Sequence, residues 1–303
     1  MPAAPAGLGG ARPEAGGTRV RFVVAEVGPV TLLVVGASGH LGGEVCRRAV
    51  DGGWPVVGTY HRAAGVVDGV DWRRLDVRDP LAVRALVHRV RPRAVVSASY
   101  LYGDWAVTAD GAAYVAMAAA DVGARLVHLS SDALHGGRPE PYLDDEPPSP
   151  VYPYGAAKAA AETAVRLVHP AAAVLRCSLI VGDAHSKQVR LCLDALSGVP
   201  GVAVFRDLIR CPVSVVDLAE AVLELLGSDF AGPLNLGGPE AVDRVELAGL
   251  VARHYRLDLG GLQISSVVEA GLSVPAEVRL DSTRAGELLR TRLRGVSELF
   301  PAG

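Results

Sequence analysis

The stretch TLLVVGASGHLGG, residues 31–43, decides the fold of this chain. The apolar residues 31–35 predict a buried strand, and three glycines separate this strand from a segment with helical character. Gly36 allows the chain to turn sharply, Gly39 lets a pyrophosphate approach backbone N–H groups, and Gly42 lets the helix pack closely on the sheet. The arrangement predicts a dinucleotide site at the helix N-terminus. The alternative is an ordinary strand-to-helix turn, because glycine is abundant in this chain.

Composition narrows the class of protein. The 303 residues carry a net charge of −3 without a basic cluster, which argues against nucleic acid or an anionic membrane as a partner. The four cysteines are widely spaced and form no CxxC pair, which argues against a metal knuckle or a disulfide framework and favours a reducing cytosol. No apolar run reaches the ~18 residues of a membrane span. We therefore expect a cytoplasmic protein.

Strand and helix patterns alternate along most of the chain. Strands are predicted over 31–35, 56–59, 71–75, 94–98, 125–129, 172–175 and 232–238. Helices are predicted over 43–51, 80–90, 105–121, 154–168, 187–196, 215–226, 244–256 and 283–293. This alternation predicts an α/β fold with a doubly wound parallel sheet.

The chain divides into three parts in this interpretation. Residues 1–28 are rich in Ala, Gly and Pro and are expected to be either a disordered leader or an over-long start. Residues 29–175 form the dinucleotide-binding domain, and residues 176–303 form mainly a smaller substrate-binding α/β part, with some segments returning to the first domain. The Arg-rich end is interpreted as an amphipathic helix rather than a nucleic-acid site.

Tyr154 and Lys158 are the strongest candidates for chemistry. They lie four residues apart, so on a helix they share a face. A nearby ammonium lowers the pKa of a tyrosine, and a hydroxyl at Ser131 could hydrogen-bond the same substrate oxygen. Only two of the 30 basic residues are lysine, and an arginine could not titrate in this role. The alternative is a surface tyrosine beside a solvated lysine; the other lysine, Lys187, is interpreted as a surface residue.

The ordered motifs resemble the extended short-chain dehydrogenases/reductases, and within them the sugar-nucleotide branch that is similar to dTDP-4-dehydrorhamnose reductase. The resemblance runs from about residue 31 to the C-terminus. It is carried by GASGHLG (36–42), LDVRD (75–79), LVHLSSD (126–132), P-x-x-x-YGAAKAAAE (150–162), LRCSLIVG (175–182) and RCPVSVVDLA (210–219).

The resemblance implies a Rossmann sheet, a nicotinamide cofactor and a catalytic set of Ser131, Tyr154 and Lys158. The candidate substrate contacts are Asp132, His135, Ser178 and Arg210, and no metal site is expected. The cofactor ligands implied by the turn and by the resemblance are Gly36, Ser38, Gly39, His40, Leu41, Gly42, Tyr60, His61, Arg62, Asp76, Val77, Ala98, Ser99, Tyr154 and Lys158.

Several residues near the expected substrate site differ from those that are usual in this branch. Ala133 and His135 replace two aromatic residues, and Leu179 replaces a tryptophan. His135 follows a strand and could contact a sugar or phosphate, or simply be solvated. The acidic run 144–146 is interpreted as a solvated segment rather than a metal site.

The residues after the second strand indicate which dinucleotide binds. A carboxylate there accepts hydrogen bonds from the ribose of NAD, but this chain has Tyr60, His61 and Arg62. Arg62 could hold the 2′-phosphate of NADP, so NADPH is the expected cofactor. The alternative is that Arg62 points to solvent and both dinucleotides bind alike.

Three functions stay open. The leading one is an NADP(H)-dependent reductase of a nucleotide-linked 4-keto-6-deoxyhexose or a similar keto-sugar. The second is a sugar-nucleotide epimerase or dehydratase that recycles bound NAD, and the third is a non-catalytic dinucleotide-binding regulatory subunit. A homodimer through helices is kept open, because no apolar stripe marks an interface.

Overall fold

The computed structural model describes residues 31–184 and 186–301, so the predicted leader lies outside the described residues. The strands are β1 (Leu32–Val35), β2 (Val56–Tyr60), β3 (Val70–Arg74), β4 (Ala94–Ser97), β5 (Arg125–Ser131), β6 (Arg138–Tyr142), β7 (Ala173–Cys177), β8 (Ile180–Val181), β9 (Val204–Phe205), β10 (Val213–Ser214), β11 (Gly232–Leu236), β12 (Ile264–Ser265) and β13 (Val278–Leu280). Seven parallel strands form the central sheet in the order β3-β2-β1-β4-β5-β7-β11. The predicted doubly wound parallel sheet is therefore confirmed.

Helices cover both faces of this sheet. They are α1 (His40–Asp51), α2 (Pro80–Val90), α3 (Gly111–Asp121), α4 (Pro153–Val168), α5 (Lys187–Leu196), α6 (Val215–Leu226), α7 (Arg244–Tyr255), α8 (Thr283–Leu288) and α9 (Val296–Leu299). Leu32 and Val34 of β1 pack in the core beneath α1 and α6, whereas Leu33 and Val35 pack beneath α2, α3 and α4. Alternate residues of one strand are thus buried on opposite faces, which explains the continuous apolar run.

A third core belongs to the C-terminal part, where α5, α7 and α9 pack together. Two elements from beyond residue 175 join the central layers: β11 forms one edge of the sheet, and α6 packs on α1. The division of the chain into two functional parts stays a prediction. Among the described residues, no helix is both long and apolar enough to cross a membrane.

Three predicted helices differ from the structure by more than one residue in their bounds. The first begins at His40 rather than at residue 43, so Gly42 lies inside its first turn. The segment 105–121 is divided into a π-helical turn, Ala106–Asp110, and α3. The predicted helix 283–293 ends at Leu288, because the backbone N–H groups of the next residues bond to the Glu224 carboxylate instead of continuing the helix.

The Pro- and Gly-rich segment between β5 and α4 has regular structure of its own. It contains a 3₁₀ turn and β6, which pairs with β13. Its acidic run was expected to be solvated, but two of its carboxylates are bonded: Glu146 forms an ion pair with Arg138 at 2.6 Å, and Asp144 accepts a hydrogen bond from the Asn235 backbone of β11. These contacts fix the segment beside the carboxyl ends of the central strands.

Candidate active site

The turn between β1 and α1 forms one wall of a cavity at the carboxyl ends of the strands. Gly36 has φ +87°, and a Cβ there would lie 2.8 Å from the Ser99 backbone nitrogen. A Cβ on Gly42 would lie 2.2 Å from the Gly36 carbonyl oxygen, so both positions require glycine. Gly39 caps α1, and the first turn of this helix contains no acidic residue. The helix therefore presents free N–H groups and a positive end to the cavity.

The predicted cofactor residues of the turn lie in two settings. Gly36, Gly39, His40, Leu41 and Gly42 line the cavity together with Ala98. Ser38, in contrast, lies exposed on the turn and is not among the lining residues. The buried hydroxyl oxygen of Ser99 has no hydrogen-bond partner in the described part of the chain. An unpaired polar atom beside a glycine turn fits a bound polar ligand.

The residues predicted to bind the adenosine half of the cofactor lie at or just after the ends of β2 and β3. Tyr60 packs edge-on against Trp72, and His61 lies 3.9 Å from the Asp76 carboxylate. Arg62 is exposed, and Val77 is buried.

Arg78 contacts one of the predicted cofactor residues and was not itself predicted from the sequence. It donates to the Asp76 carboxylate at 2.6 Å, and these hydrogen bonds are the main cause that lowers the pKa of Asp76 to about 2. The alternating charges of the motif DVRD, residues 76–79, could have indicated this contact from the sequence.

Lys158 lies one helical turn beyond Tyr154 on α4, and both side chains line the same cavity as Ser131. The Lys158 ammonium is buried and donates to the Leu129 carbonyl at 2.8 Å. Burial lowers its pKa to about 8. Ser131 accepts a hydrogen bond from the Ala133 backbone at 3.2 Å, and its own hydroxyl donates to Asp132. The predicted catalytic set is therefore brought together.

The pKa of Tyr154 corrects one expectation. Lys158 was expected to lower it, but burial raises it well above its usual value, and neighbouring tyrosines add to the increase. The Lys158 ammonium donates a hydrogen bond to the Leu129 carbonyl, so desolvation has the larger effect on the pKa of the Tyr154 phenol. Tyr154 is therefore a protonated hydroxyl in this structure, which is the form that donates a proton.

A cluster of tyrosines around Tyr154 was missed by the sequence reasoning. The Tyr102 ring lies 4.1 Å from the Tyr154 ring, centroid to centroid, and the Tyr100 and Tyr152 rings lie at 5.9 and 6.1 Å. Tyr100 and Tyr102 come from the segment that follows β4, and both are about half exposed. Tyr100 and Tyr102 closely follow the end of a parallel strand, and this position was the available signal.

The predicted substrate residues separate into a cluster and an outlier. Ser178 donates to the Asp132 carboxylate at 2.8 Å, and Arg210 approaches the same carboxylate at 3.6 Å. All three line the cavity. His135 was expected to contact substrate, but it is fully buried, stacks on Tyr142 at 3.9 Å and is not among the lining residues. The segment turns its ring inward, so the expectation for His135 is corrected.

Basic side chains from distant segments complete the cavity wall. Arg244, at the start of α7, lines it beside Gln188, with which it forms a 2.9 Å hydrogen bond. Lys187 lies exposed at the rim, 4.8 Å above the Tyr102 ring. Arg244 was not predicted, because nothing local in its sequence distinguishes it from other surface arginines.

The parallel sheet, the glycine turn and the Tyr–Lys helix define an NAD(P)-dependent oxidoreductase of the extended short-chain dehydrogenase/reductase class. The family model of the RmlD substrate binding domain matches residues 30–294. The chain therefore belongs to the RmlD substrate binding domain family, as the sequence resemblance had indicated.

Individual relatives agree with this assignment. The chain is 30% identical to a dTDP-4-dehydrorhamnose reductase of Mycobacterium tuberculosis over 226 residues, which is 70% of each chain. It is also 26% identical to the methionine adenosyltransferase 2 subunit beta of Rattus norvegicus, covering 84% of this chain and 80% of the relative.

Solved structures share the fold. A dTDP-4-dehydrorhamnose reductase from Bacillus anthracis in complex with NADP has a TM-score of 0.74 at 21% identity, covering 89% of this chain and 97% of the other. Further structural neighbours were solved with NAD, and some also with UDP or a UDP-sugar.

Proposed function

We propose that this protein is an NADP(H)-dependent reductase of a nucleotide-linked keto-sugar of the 4-keto-6-deoxyhexose type. The observation that carries the proposal is the shared cavity, in which a protonated Tyr154 and a buried Lys158 face the glycine turn. The relative that reduces a dTDP-linked sugar supports the substrate class. All four cysteines are free, which supports a cytoplasmic location.

The residues present fit a dinucleotide. The open N-terminus of α1 would hold the pyrophosphate, and the unpaired Ser99 hydroxyl lies beside it. The Lys158 ammonium would bind the ribose hydroxyls. When bound, reduced nicotinamide supplies the hydride that adds to the carbonyl carbon of the sugar.

The protein then supplies the proton and the orientation. Ser131 would hydrogen-bond the sugar carbonyl oxygen, and Tyr154 would donate its phenolic proton to that oxygen as negative charge develops. Lys158, one helical turn beyond Tyr154 on α4, would stabilise the resulting phenolate until it is reprotonated. Asp132 is already engaged by Ser178 and Arg210, so it serves to order the substrate wall rather than to act as a free acid.

Replacement of the proton donor tests the proposal. Tyr154→Phe should lower the rate of NADPH oxidation with a dTDP-linked 4-keto-6-deoxyhexose by about 10²-fold or more, because general acid catalysis is lost. The dissociation constant for NADPH, measured by fluorescence titration, should be largely kept. Tyr114→Phe on α3, outside the cavity, is the matched control. Retention of more than about a tenth of the rate in Tyr154→Phe would contradict the assignment.

The cofactor preference has a separate test. Because no carboxylate follows β2 to repel a 2′-phosphate, and Arg62 can form a charge-assisted contact with it, NADPH should bind about tenfold or more tightly than NADH. Arg62→Ala should remove most of this difference. Isothermal titration with NADPH and with NADH measures the two dissociation constants in each protein. Equal dissociation constants in the unmutated protein would refute the preference.

A non-catalytic regulatory subunit is the second candidate, and the relative named as a subunit of methionine adenosyltransferase favours it. The Ser131, Tyr154 and Lys158 set speaks against it, because a binding protein has no need of a tyrosine–lysine pair. Failure to oxidise NADPH with a broad panel of nucleotide-linked keto-sugars, together with co-purification of a partner enzyme, would support this candidate instead.

A further inference from the structure

In the proposed reaction, Tyr154 must regain a proton after each reduction. Its side chain is only 9% exposed, and that of Lys158, its neighbour on α4, is buried. The Lys158 ammonium also donates to the Leu129 carbonyl, so one of its protons is already engaged inside the protein. Both groups are thus nearly closed off from bulk water. A side chain that contacts Tyr154 and also reaches solvent would give the returning proton a path.

Tyr102 has this position. Its ring lies 4.1 Å from the Tyr154 ring, centroid to centroid, and the two ring planes are inclined by 34°. A hydrogen bond joins the two side chains through their hydroxyl groups. Tyr102 is nevertheless 53% exposed, because it belongs to the segment after β4 that borders the cavity. The Tyr102 side chain therefore contacts both the buried Tyr154 phenol and water.

The charges around Tyr102 help it to give up a proton. The Lys187 ammonium lies 4.8 Å from the centroid of its ring, and the Arg244 guanidinium lowers the pKa of its hydroxyl. Burial is the largest influence and raises the pKa of Tyr102 to about 12, with smaller increases from Tyr100 and Asp132. Burial raises the pKa of Tyr154 further. A proton therefore moves from Tyr102 to a Tyr154 phenolate in the favourable direction.

We propose that Tyr102 returns to Tyr154 the proton lost in each reduction and then recovers its own proton from water. In this step the O–H bond of Tyr102 breaks, the O–H bond of Tyr154 forms, and the negative charge passes to the Tyr102 oxygen. A water molecule then protonates Tyr102, and the buffer neutralises the hydroxide that is left. Tyr102 acts through Tyr154, so it positions the incoming proton and need not touch the substrate. The proposal rests on the proposed function, because it completes the same catalytic cycle.

Exchange of the Tyr154 hydroxyl proton with water tests this relay without a substrate. In protein labelled with ¹³C at the tyrosine Cζ and dissolved in equal parts of H₂O and D₂O, NMR resolves the protonated and deuterated forms when exchange is slow. The spectrum of Tyr154→Phe assigns the signal. Tyr102→Phe keeps the ring and removes the hydroxyl, so exchange at Tyr154 should slow by about tenfold or more. Tyr114→Phe on α3, outside the cavity, is the control and should leave that exchange unchanged.

The direction of the change separates a relay from a structural role. A substitution that merely loosened the packing around Tyr154 would open it to water and speed the exchange. Equal or faster exchange at Tyr154 in Tyr102→Phe would therefore overturn the proposal.

Turnover with a nucleotide-linked keto-sugar measures the catalytic consequence. When NADPH-loaded Tyr102→Phe is mixed with the substrate in a stopped-flow instrument, the first hydride transfer should keep its rate, because Tyr154 starts out protonated. The steady-state kcat should fall by about tenfold, because each later turnover waits for the proton. Imidazole buffer, whose cation can deliver a proton to Tyr154, should restore kcat. An equal loss in the first and later turnovers, without rescue by imidazole, would overturn the proposal.

The two measurements separate this inference from the proposed function. Slower exchange at Tyr154 in a protein that reduces no keto-sugar would support the relay and overturn the proposed function. An active reductase in which Tyr102→Phe changes neither exchange nor turnover would overturn the relay alone. Slower exchange with an unchanged kcat would show that the proton returns by another path during catalysis, which also overturns the relay.

Discussion

Two arginines inside this protein, Arg176 and Arg244, have opposite electrostatic surroundings. Arg176 on β7 is 1% exposed and forms a bidentate ion pair with Glu162 of α4, at 3.1 and 2.9 Å. Arg244 lines the cavity beside another arginine and has a neutral partner. The first charge is neutralised within the fold, and the second lines the cavity without an acidic partner among the described residues.

The position of each arginine explains the difference. Arg176 also donates to the backbone carbonyls of Asp144 and Glu146, so it joins β7, α4 and the segment between β5 and α4 behind the active site. Lys158 lies on the same helix one turn before Glu162, yet it too forms no ion pair with an acid among the described residues. Of these three cations, Arg176 has an acidic partner and lies in the scaffold, whereas Arg244 and Lys158 have none among the described residues and line the cavity.

Removal of Arg176 should produce the largest effect on stability. Arg176→Met leaves the Glu162 carboxylate buried without its partner, which should lower the free energy of unfolding by about 3–5 kcal/mol. Urea denaturation followed by circular dichroism measures this. The double variant Arg176→Met/Glu162→Leu should recover most of the loss, because no uncompensated charge remains.

Arg244→Met is the matched comparison. It leaves behind no acid, only an amide that can turn to water, so the expected change is within about 1 kcal/mol. A loss of stability as large as that of Arg176→Met would break the distinction between the two arginines.

The dinucleotide side of the site could be predicted because its residues are close in sequence. The glycine turn is one continuous stretch, and its strand and helix set the geometry within residues 32–51. Tyr154 and Lys158 are likewise fixed by helical spacing on α4. Local periodicity and glycine chemistry suffice for such features.

The substrate side could be predicted only in part, because it is assembled from distant segments. Arg244 and Tyr102 reach the cavity through the packing of α7 and of the segment after β4, which no local pattern specifies. His135 is the opposite case, because it was predicted to contact the substrate but lies in the core. It lies only four residues beyond Ser131, but the chain direction after a strand does not determine whether a side chain faces the cavity or the core.

Lys158 should make a smaller contribution to stability, and its pH dependence tests whether this buried cation lacks an acidic partner. Burial without an acidic partner lowers its pKa to about 8, from an ordinary value of about 10.4. In the unfolded chain the lysine keeps its proton to higher pH than in the folded protein. The penalty for burying the ammonium is therefore complete below a pH of about 8 and is relieved as the pH rises toward about 10.

Activity and stability should therefore change in opposite directions above a pH of about 8. The value of kcat/KM should fall, by up to about tenfold per pH unit, because the ammonium that supports Tyr154 is lost. The free energy of unfolding should gain a rising contribution from Lys158 over the same range, and this contribution should be missing in Lys158→Met. Steady-state kinetics and urea denaturation at a series of pH values measure both. A kcat/KM that stays level to a pH of about 9.5, or parallel stability profiles for the two proteins, would show that Lys158 does not titrate as an unpaired cation.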